Sequence, residues 1–255
     1  MSESRFTPPA PEAVLDRLGP ILRETVFIED RTFLIDHPGE ADRLAKHPAV
    51  REAYQRDAYM PYWADLWPAS RMLARAVLHE PWTPGIDALE LGCGLGLPGI
   101  VAMTMGLRVT FTDYDACALR FAADNARLNG QHDFRTLQLD WREPPEGLQS
   151  PVLLAADLLY ELRSVEPLAR CIKTLLAPNG VCLLADIERI PASALRAALD
   201  AAGLAYTTKM MRAGEPGGRR VKGTLYRIGH AVEPAIGDRR LPFSWRRLAR
   251  FGIMT

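Results

Sequence analysis

Leu89-Glu-Leu-Gly-Cys-Gly-Leu-Gly-Leu-Pro-Gly99 contains the strongest structural signal in the chain. A short apolar segment leads into a glycine-rich turn, and a helix is expected to follow from Pro98. Glycines let the backbone approach a ligand closely and expose N–H groups at a helix N-terminus. The stretch therefore predicts a ligand-binding turn between a strand and a helix.

The sequence of this turn fits the binding patterns of two different cofactors. Residues 94–99 match the G-x-G-x-x-G pattern of dinucleotide-binding proteins, whereas residues 90–96 match the acidic-x-G-x-G-x-G turn of enzymes that bind S-adenosylmethionine (SAM). Glu90 can bind the cationic amino group of a methionine moiety, and a pyrophosphate would gain nothing from it. An NAD-dependent oxidoreductase would also need a catalytic Lys, His or Tyr set, and we find none. We therefore favour SAM over NAD.

Strands and helices alternate along the chain from Ala88 onward. Apolar runs predict strands at 88–91, 108–112, 136–139, 152–156 and 181–185, and helices at 66–79, 98–105, 116–128, 164–176 and 192–202. Strands joined by single helices form a parallel sheet with helices on both faces. Two further runs, 205–211 and 222–228, are separated by a segment that fits no helix, which predicts an antiparallel hairpin. The expected fold is α/β and Rossmann-like, with a mostly parallel seven-stranded sheet.

A different pattern precedes this region. Two β-rich runs, 24–29 and 31–36, surround a charged turn and predict a hairpin, and residues 40–58 indicate a charged helix broken by Pro48. We therefore divide the chain into an N-terminal helical and hairpin extension (1–60), a core (61–230) and a basic C-terminal tail (231–255).

Acidic and aromatic residues follow the predicted strands. Asp113 ends the strand after the glycine-rich turn, the usual place for a carboxylate that accepts hydrogen bonds from both ribose hydroxyls. Asp140 and Trp141, after the next strand, offer an acceptor for an adenine amino group and an aromatic face for its ring. Asp115 is expected to N-cap the following helix. Asp113 fits either cofactor, so these residues favour SAM only in combination with the acidic turn and the terminal hairpin.

Four blocks of sequence carry a resemblance to a known family: 61–68 (PYWADLWP), 90–99, 112–115 (TDYD), and 139–141 (LDW) with 155–160 (AADLLY). The combination resembles the class I (seven-β-strand) protein lysine methyltransferases. This group includes enzymes that act on the electron-transfer flavoprotein β-subunit, on calmodulin and on elongation factors. The first block is most similar to the flavoprotein-directed branch and its bacterial relatives. The resemblance covers roughly residues 20–230 and implies a class I methyltransferase fold, SAM as cofactor and methyl transfer to an amine nitrogen.

The resemblance also implies roles for single residues. Trp67 is expected near the cofactor on the helix before the first sheet strand, and Ala156 is expected to touch the adenine. Asp157 and Tyr160 form a D-x-x-Y motif, expected at the mouth of the methyl-transfer channel. The predicted cofactor contacts are Trp67, Glu90, Gly92, Cys93, Gly94, Gly96, Asp113, Asp140, Trp141 and Ala156, with Asp157 and Tyr160 as the predicted catalytic pair.

Several candidate residues have a purely structural alternative. Trp63 is better explained as a core aromatic, and Asp140 could cap the turn that follows it. Tyr160 fits a packing residue as well as a site residue. Cys93 is expected to contribute its backbone and not its thiol.

Acidic residues near the predicted site indicate which kind of molecule accepts the methyl group. Four acidic residues, Asp157, Glu161, Asp186 and Glu188, follow the fourth and fifth predicted strands at the carboxyl edge of the sheet, where ligands bind in such folds. Alternatively, these four residues cap helices or lie in solvated loops, and this interpretation is favoured for Glu188. Together the acids favour a cationic acceptor, first a protein lysine and second a small amine, as in nicotinamide-type N-methylation. A more distant alternative is a non-catalytic SAM-binding scaffold.

The composition restricts the class of protein and the kinds of site that it can contain. The 255 residues are 48% hydrophobic and 24% charged, as in an ordinary globular protein. We expect no transmembrane or signal segment, which favours the cytoplasm and excludes a membrane partner. The four cysteines form no CxxC pair and the five histidines have no metal-ligand spacing, so we expect buried free thiols and no metal.

The total charge of zero hides an asymmetry. Residues 209–255 hold 11 Lys and Arg against 3 Asp and Glu, whereas residues 1–208 hold 20 against 28. The acidic part contains every predicted site residue, which suits a cationic acceptor. The basic tail, with Phe243, Trp245 and Phe251 between its arginines, is expected to dock on the parent domain, and nucleic-acid binding is the alternative. The oligomeric state stays open.

Overall fold

A computed structural model describes residues 19–39, 44, 46–57, 59–214 and 220–231. The predicted basic tail beyond Ala231 lies outside the described residues. The strands are β1 (Ile21–Ile28), β2 (Arg31–Pro38), β3 (Asp87–Leu91), β4 (Arg108–Asp113), β5 (Phe134–Gln138), β6 (Ser150–Ala156), β7 (Leu176–Asp186), β8 (Leu204–Ala213) and β9 (Val221–His230). The helices are α1 (Pro48–Asp57), α2 (Pro68–His79), α3 (Leu97–Thr104), α4 (Ala116–Leu128), α5 (Val165–Leu175) and α6 (Ala192–Ala201).

The main sheet has the strand order β5-β4-β3-β6-β7-β9-β8. The first five strands in this order are parallel, and β9 and β8 complete the sheet as an antiparallel hairpin. The predicted α/β, Rossmann-like sheet of seven strands with a terminal hairpin is therefore confirmed. The strand order reverses between β3 and β6, and in such sheets ligands bind in the crevice at this reversal.

Helices cover both faces of the sheet. Successive side chains of a strand point to opposite faces, so neighbours such as Leu153 and Leu154 belong to different hydrophobic clusters. One cluster contains α2, α3 and α4, and the other contains α5 and α6. All four cysteines are free and buried, as predicted. None of the helices in the described ranges combines the length and apolar character that crossing a membrane requires.

The N-terminal hairpin of β1 and β2 is held against α4 by two asparagines. The side chain of Asn125 accepts a hydrogen bond from the Asp36 N–H (2.7 Å) and donates to the Asp36 carbonyl (3.1 Å). Asn129 makes the same two-way contact with the backbone of Leu34, at 2.9 and 2.7 Å. The buried face of the hairpin belongs to the same hydrophobic cluster as α4. The predicted hairpin is confirmed, and the domain boundary at residue 60 stays a prediction.

Two helix boundaries at prolines differ from the prediction. Pro48, expected to break a helix, is the first residue of α1. Pro68 begins α2, so Trp67 is not within that helix but precedes it as the N-cap, in an extended conformation (φ −70°, ψ 148°). Proline suits the first helical turn because its φ is preset and its missing N–H needs no partner there.

Candidate active site

The glycine-rich turn connects β3 to α3. Gly92, Gly94 and Gly96 have φ angles of 57°, 51° and 82°, in the left-handed region that other residues adopt only with strain. Gly96 is the N-cap of α3, and a Cβ at this position would lie 2.9 Å from the Cβ of Ala122 in α4. Glycine therefore sets the path of the turn and permits the close contact between α3 and α4.

Asp113, the last residue of β4, fastens the turn. Its Oδ2 accepts a hydrogen bond from the N–H of Gly94 (3.1 Å), and its Oδ1 accepts one from the N–H of Asp115 (3.0 Å). Burial raises the pKa of Asp113 from 3.8 to about 7, because the charged form loses its hydration. Asp113 therefore joins β4 to the turn and presents a buried carboxyl group beside it.

Asp115 N-caps α4, as predicted. Its Oδ1 accepts a hydrogen bond from the N–H of Cys117 (2.8 Å), and its other oxygen accepts one from the hydroxyl of Tyr59. The indole N–H of Trp63 donates to the same hydroxyl at 3.4 Å. Trp63 is buried and packs on Phe121, with ring centres 5.3 Å apart, as the core alternative predicted.

Glu90 lies beneath the turn. The residue is 2% exposed, and its Oε2 accepts a hydrogen bond from the N–H of Gly99 at 3.0 Å. Burial raises the pKa of Glu90 well above the usual carboxyl range, and the hydrogen bond from Gly99 opposes this shift. Glu90 thus ties β3 to the first turn of α3, and its predicted contact with a methionine amino group stays a prediction.

A cleft that is partly open to solvent lies over the turn at the carboxyl edge of the sheet. The turn, the carboxyl group of Asp113 and the indole ring of Trp141 match the methionine, ribose and adenine parts of SAM in their chemistry, so the residues present fit this cofactor. Ten predicted site residues line the cleft: Trp67, Gly92, Cys93, Gly94, Gly96, Asp113, Trp141, Ala156, Asp157 and Tyr160.

Asp140 is not among the lining residues and pairs with Arg142. The N–H of Arg142 donates to Oδ1 of Asp140 at 2.9 Å, and its guanidinium donates to both carboxylate oxygens at 2.6–3.0 Å. This is the turn-capping arrangement that the sequence left open as an alternative. An adenine contact through Asp140 stays a prediction.

Asp157 follows β6 in the left-handed conformation (φ 59°). Its carboxylate is 3% exposed and accepts two hydrogen bonds from the guanidinium of Arg189, at 2.5 and 3.1 Å. Burial raises the pKa of Asp157, and the charge of Arg189 opposes the shift. Arg189 lies in the loop between β7 and α6 and was not predicted as a site residue, because no sequence pattern connects it to Asp157.

Three aromatic rings of the cleft lining pack on one another beside Arg189. Cζ of Arg189 is 4.9 Å from the centre of the Trp67 ring. The ring of Tyr62 packs on Trp67 and on Tyr160, with centres 6.1 and 4.7 Å apart, and Nε1 of Trp67 donates to the Tyr62 carbonyl at 2.7 Å. Burial raises the pKa of Tyr160 to about 12, so its hydroxyl stays protonated at neutral pH. Tyr62 was missed as a site residue, although it stands in the block 61–68.

The other acids of this edge are engaged within the fold. Glu161 forms an ion pair with Arg163. Asp186 accepts the N–H of Glu188 at 2.6 Å, and the Glu188 carboxylate accepts the hydroxyl of Thr224 at 2.5 Å. Within the described ranges, no group of three or more His, Cys, Asp or Glu residues is placed to hold a metal ion.

Solved structures with a similar fold include two bacterial proteins. The ribosomal protein L11 methylase of Lactobacillus delbrueckii subsp. bulgaricus has a TM-score of 0.51 and 18% identity, over 64% of this chain and 79% of that one. A TehB-like SAM-dependent methyltransferase of Corynebacterium glutamicum has a TM-score of 0.51 and 15% identity, over 76% and 100%. Identities this low support the fold alone, which is that of the class I, Rossmann-like methyltransferases.

A family model described as lysine methyltransferase matches residues 62–195. The match covers more than half of the chain, which therefore belongs to the lysine methyltransferase family. The family agrees with the resemblance seen in the sequence, and the fold confirms the predicted Rossmann-like architecture.

Curated relatives match a shorter part of the chain. The histidine protein methyltransferase 1 homolog of Dictyostelium discoideum is 35% identical over 108 residues, which are 40% of this chain and 35% of that protein. The ribosomal protein L11 methyltransferase of Vibrio vulnificus is 34% identical over 112 residues, 42% and 37% of the two chains. The chain thus spans just over a third of the length of these relatives.

Proposed function

We propose that this protein binds SAM in the cleft over the glycine-rich turn and transfers its methyl group to the side-chain nitrogen of a protein lysine. One observation carries the proposal: the glycine-rich turn, Asp113, Asp157 and three aromatic residues line the same cleft. Membership of the lysine methyltransferase family supports the class of acceptor.

The residues of the cleft suit the requirements of methyl transfer to an amine. When bound, SAM supplies a methyl group on a sulfonium, open to in-line attack by a nitrogen. A lysine side chain has a reference pKa of about 10.4, so it arrives charged and must lose one proton to solvent water before its nitrogen can accept the methyl group. Asp157 holds the arriving amine, while the rings of Tyr160 and Trp67 exclude water from the channel. Catalysis then rests on proximity and alignment, without a covalent enzyme intermediate.

A protein histidine is the second candidate acceptor. The carboxylate of Asp157 is already paired with Arg189, and a neutral imidazole needs no free carboxylate to enter the channel. The relative from Dictyostelium discoideum, named for histidine protein methylation, supports this candidate. Relatives named for ribosomal protein L11 support a protein acceptor over a small amine.

We also propose a cytoplasmic location and the three-part organisation into 1–60, 61–230 and 231–255. The four free, buried cysteines suit a reducing compartment. The acidic residues of the cleft suit a cationic partner, and the basic tail is proposed to dock on the parent domain.

Labelled SAM identifies the acceptor. The protein is incubated with radiolabelled SAM and a demethylated proteome, and the labelled residue is located by mass spectrometry. Label on lysine supports the proposal, and label on histidine supports the second candidate. No label on any protein, with no binding of S-adenosylhomocysteine (SAH) in calorimetry, contradicts both.

Asp157→Asn tests the acceptor end of the cleft. Asparagine tolerates the left-handed backbone of this position, so the change removes the charge with little strain. We expect turnover at saturating SAM to fall by at least about tenfold, because orienting groups contribute on this scale. Asp87→Asn is the matched control, because Asp87 lies in an exposed ion pair at the other end of β3. Turnover within about twofold of wild type would remove Asp157 from the mechanism.

A further inference from the structure

Five side chains beside the cleft are connected by ring contacts, a cation–π contact and an ion pair. We call Tyr62, Trp67, Asp157 and Tyr160 the collar, and all four line the cleft. Tyr62 contacts Trp67 and Tyr160, while Asp157 and Tyr160 belong to one short segment after β6. The guanidinium of Arg189 bonds to Asp157 and lies over the ring of Trp67.

The collar has the chemistry of a site for an organic cation. Aromatic faces attract cations, and a carboxylate forms charge-assisted hydrogen bonds with N–H donors. The Asp157 carboxylate is 3% exposed, so it requires a positive partner, whereas the Arg189 side chain is 31% exposed and comes from a loop. The cation that now pairs with Asp157 therefore belongs to the protein itself and is the more accessible partner of the pair.

We propose that Arg189 is an internal occupant of the acceptor site: its guanidinium holds the place of the substrate lysine's ammonium group, and the substrate displaces it. This inference rests on the proposed lysine acceptor. An arriving ammonium replaces the positive charge that Asp157 loses when Arg189 leaves. A neutral side chain would instead leave the carboxylate buried and unpaired. Arg189 thus makes the site selective for cationic acceptors.

Arginine suits this place for a chemical reason. A guanidinium stays protonated at physiological pH and has no free nitrogen lone pair for attack on a methyl group. The protonated side chain of Arg189 is therefore a poor nucleophile for a methyl group. A lysine at the same position would carry the functional group of the substrate.

Binding of n-butylammonium, a mimic of the lysine side chain, tests the inference without a known substrate. Calorimetric titrations at pH 8 with saturating SAH compare wild type with Arg189→Met, Arg189→Lys and Arg163→Met. Arg163→Met is the matched control, because Arg163 is 61% exposed and pairs with Glu161 outside the collar. Methionine preserves much of the apolar side chain while removing the charge.

We expect Arg189→Met to bind n-butylammonium about tenfold more tightly than wild type, the ratio that follows if Arg189 fills the site about nine-tenths of the time. Arg189→Lys, which keeps the charge, and Arg163→Met should stay near wild type. Adding Asp157→Asn to Arg189→Met should abolish the gain. Equal affinities of Arg189→Met and wild type would overturn the inference, as would an equal gain in Arg163→Met.

Titration of each variant with SAH alone separates this inference from the proposed function. If Arg189→Met binds SAH as wild type does, it is folded, and an unchanged affinity for n-butylammonium counts against Arg189 alone. If wild type fails to bind SAH, the proposed function fails. The n-butylammonium titrations are then made without SAH, and the same comparison of variants decides on Arg189.

Discussion

The two ends of the cleft are built in different ways. The cofactor end, which is the glycine-rich turn with Asp113, uses backbone atoms and a buried carboxyl group from the neighbouring strands β3 and β4. The collar at the acceptor end uses side chains from two separate segments of the chain, and Arg189 belongs to a third segment. Ring and cation–π contacts of this kind contribute about 0.5–2 kcal/mol each. We therefore expect the cofactor end to tolerate little change and the acceptor end to adapt.

The largest effect is expected at Gly96. This residue and Gly85 share a φ of 82°, but a Cβ at Gly85 meets nothing within 4 Å, whereas at Gly96 it meets Ala122 at 2.9 Å and Phe111 at 3.2 Å. Gly85→Ala should lower the free energy of unfolding by about 1–2 kcal/mol through backbone strain alone. Gly96→Ala should cost about 1–3 kcal/mol more through overpacking and should abolish SAH binding. Denaturant unfolding and calorimetry measure both effects, and equal losses would show that α3 and α4 are not tightly packed.

The second effect concerns the cofactor affinity that Asp113 supplies. Because folding raises its pKa to about 7, the carboxyl group ionises near neutral pH, and SAH affinity of the wild type should rise between pH 6 and pH 8. Asp113→Asn should remove this rise and weaken SAH binding at pH 8 by about 10- to 100-fold, the loss of a charge-assisted hydrogen bond worth about 1.5–3 kcal/mol. Calorimetric titrations at both pH values measure the change. A wild-type affinity independent of pH would contradict the ribose role.

The same raised pKa predicts the sign of a change in stability. The folded protein keeps a proton on Asp113 that the unfolded chain has lost above about pH 4, so the stabilisation is complete below that pH and is lost as the pH rises through about 7. The free energy of unfolding should fall with pH by up to about 1.4 kcal/mol per unit for one such group. Asp113→Asn should show a shallower fall in urea unfolding between pH 5 and pH 8. Parallel curves for the two proteins would argue against the shift.

The smallest effect is expected in the collar. Tyr62→Leu removes the ring contacts with Trp67 and Tyr160 and should lower the free energy of unfolding by about 1 kcal/mol. The Kd for SAH should change by less than about twofold, because the turn and Asp113 are not altered. Phe27→Leu, at an exposed position of β1, is the matched control for loss of an aromatic ring. A large loss of SAH affinity in Tyr62→Leu would show that the two ends of the cleft are coupled.

Features written in consecutive residues were predicted from the sequence. The apolar strand before the glycines, the turn itself and the N-cap at Asp115 depend on neighbours in the chain, and the structure contains all three. The alternation of strands and helices also predicted the parallel sheet and its terminal hairpin. The pattern was less successful at Pro48 and Trp67, since a proline can begin a helix as well as end one.

Pairings between distant side chains were not predictable. Asp157 was expected to be available to a substrate, but it pairs with Arg189, which is 32 residues away in sequence. Which charges meet depends on how the loops after the strands fold over the sheet edge, and spacing in the sequence does not encode this.

Local spacing in the sequence thus predicted the strand, the glycine-rich turn and Asp113 at the end of the adjacent strand. These features consist of backbone conformation and of residues at the ends of adjacent strands, and both follow from the order of neighbouring residues. The pairing of Asp157 with Arg189 follows instead from the tertiary structure, because Asp157 is buried and needs a cation, and the fold brings Arg189 within hydrogen-bond distance.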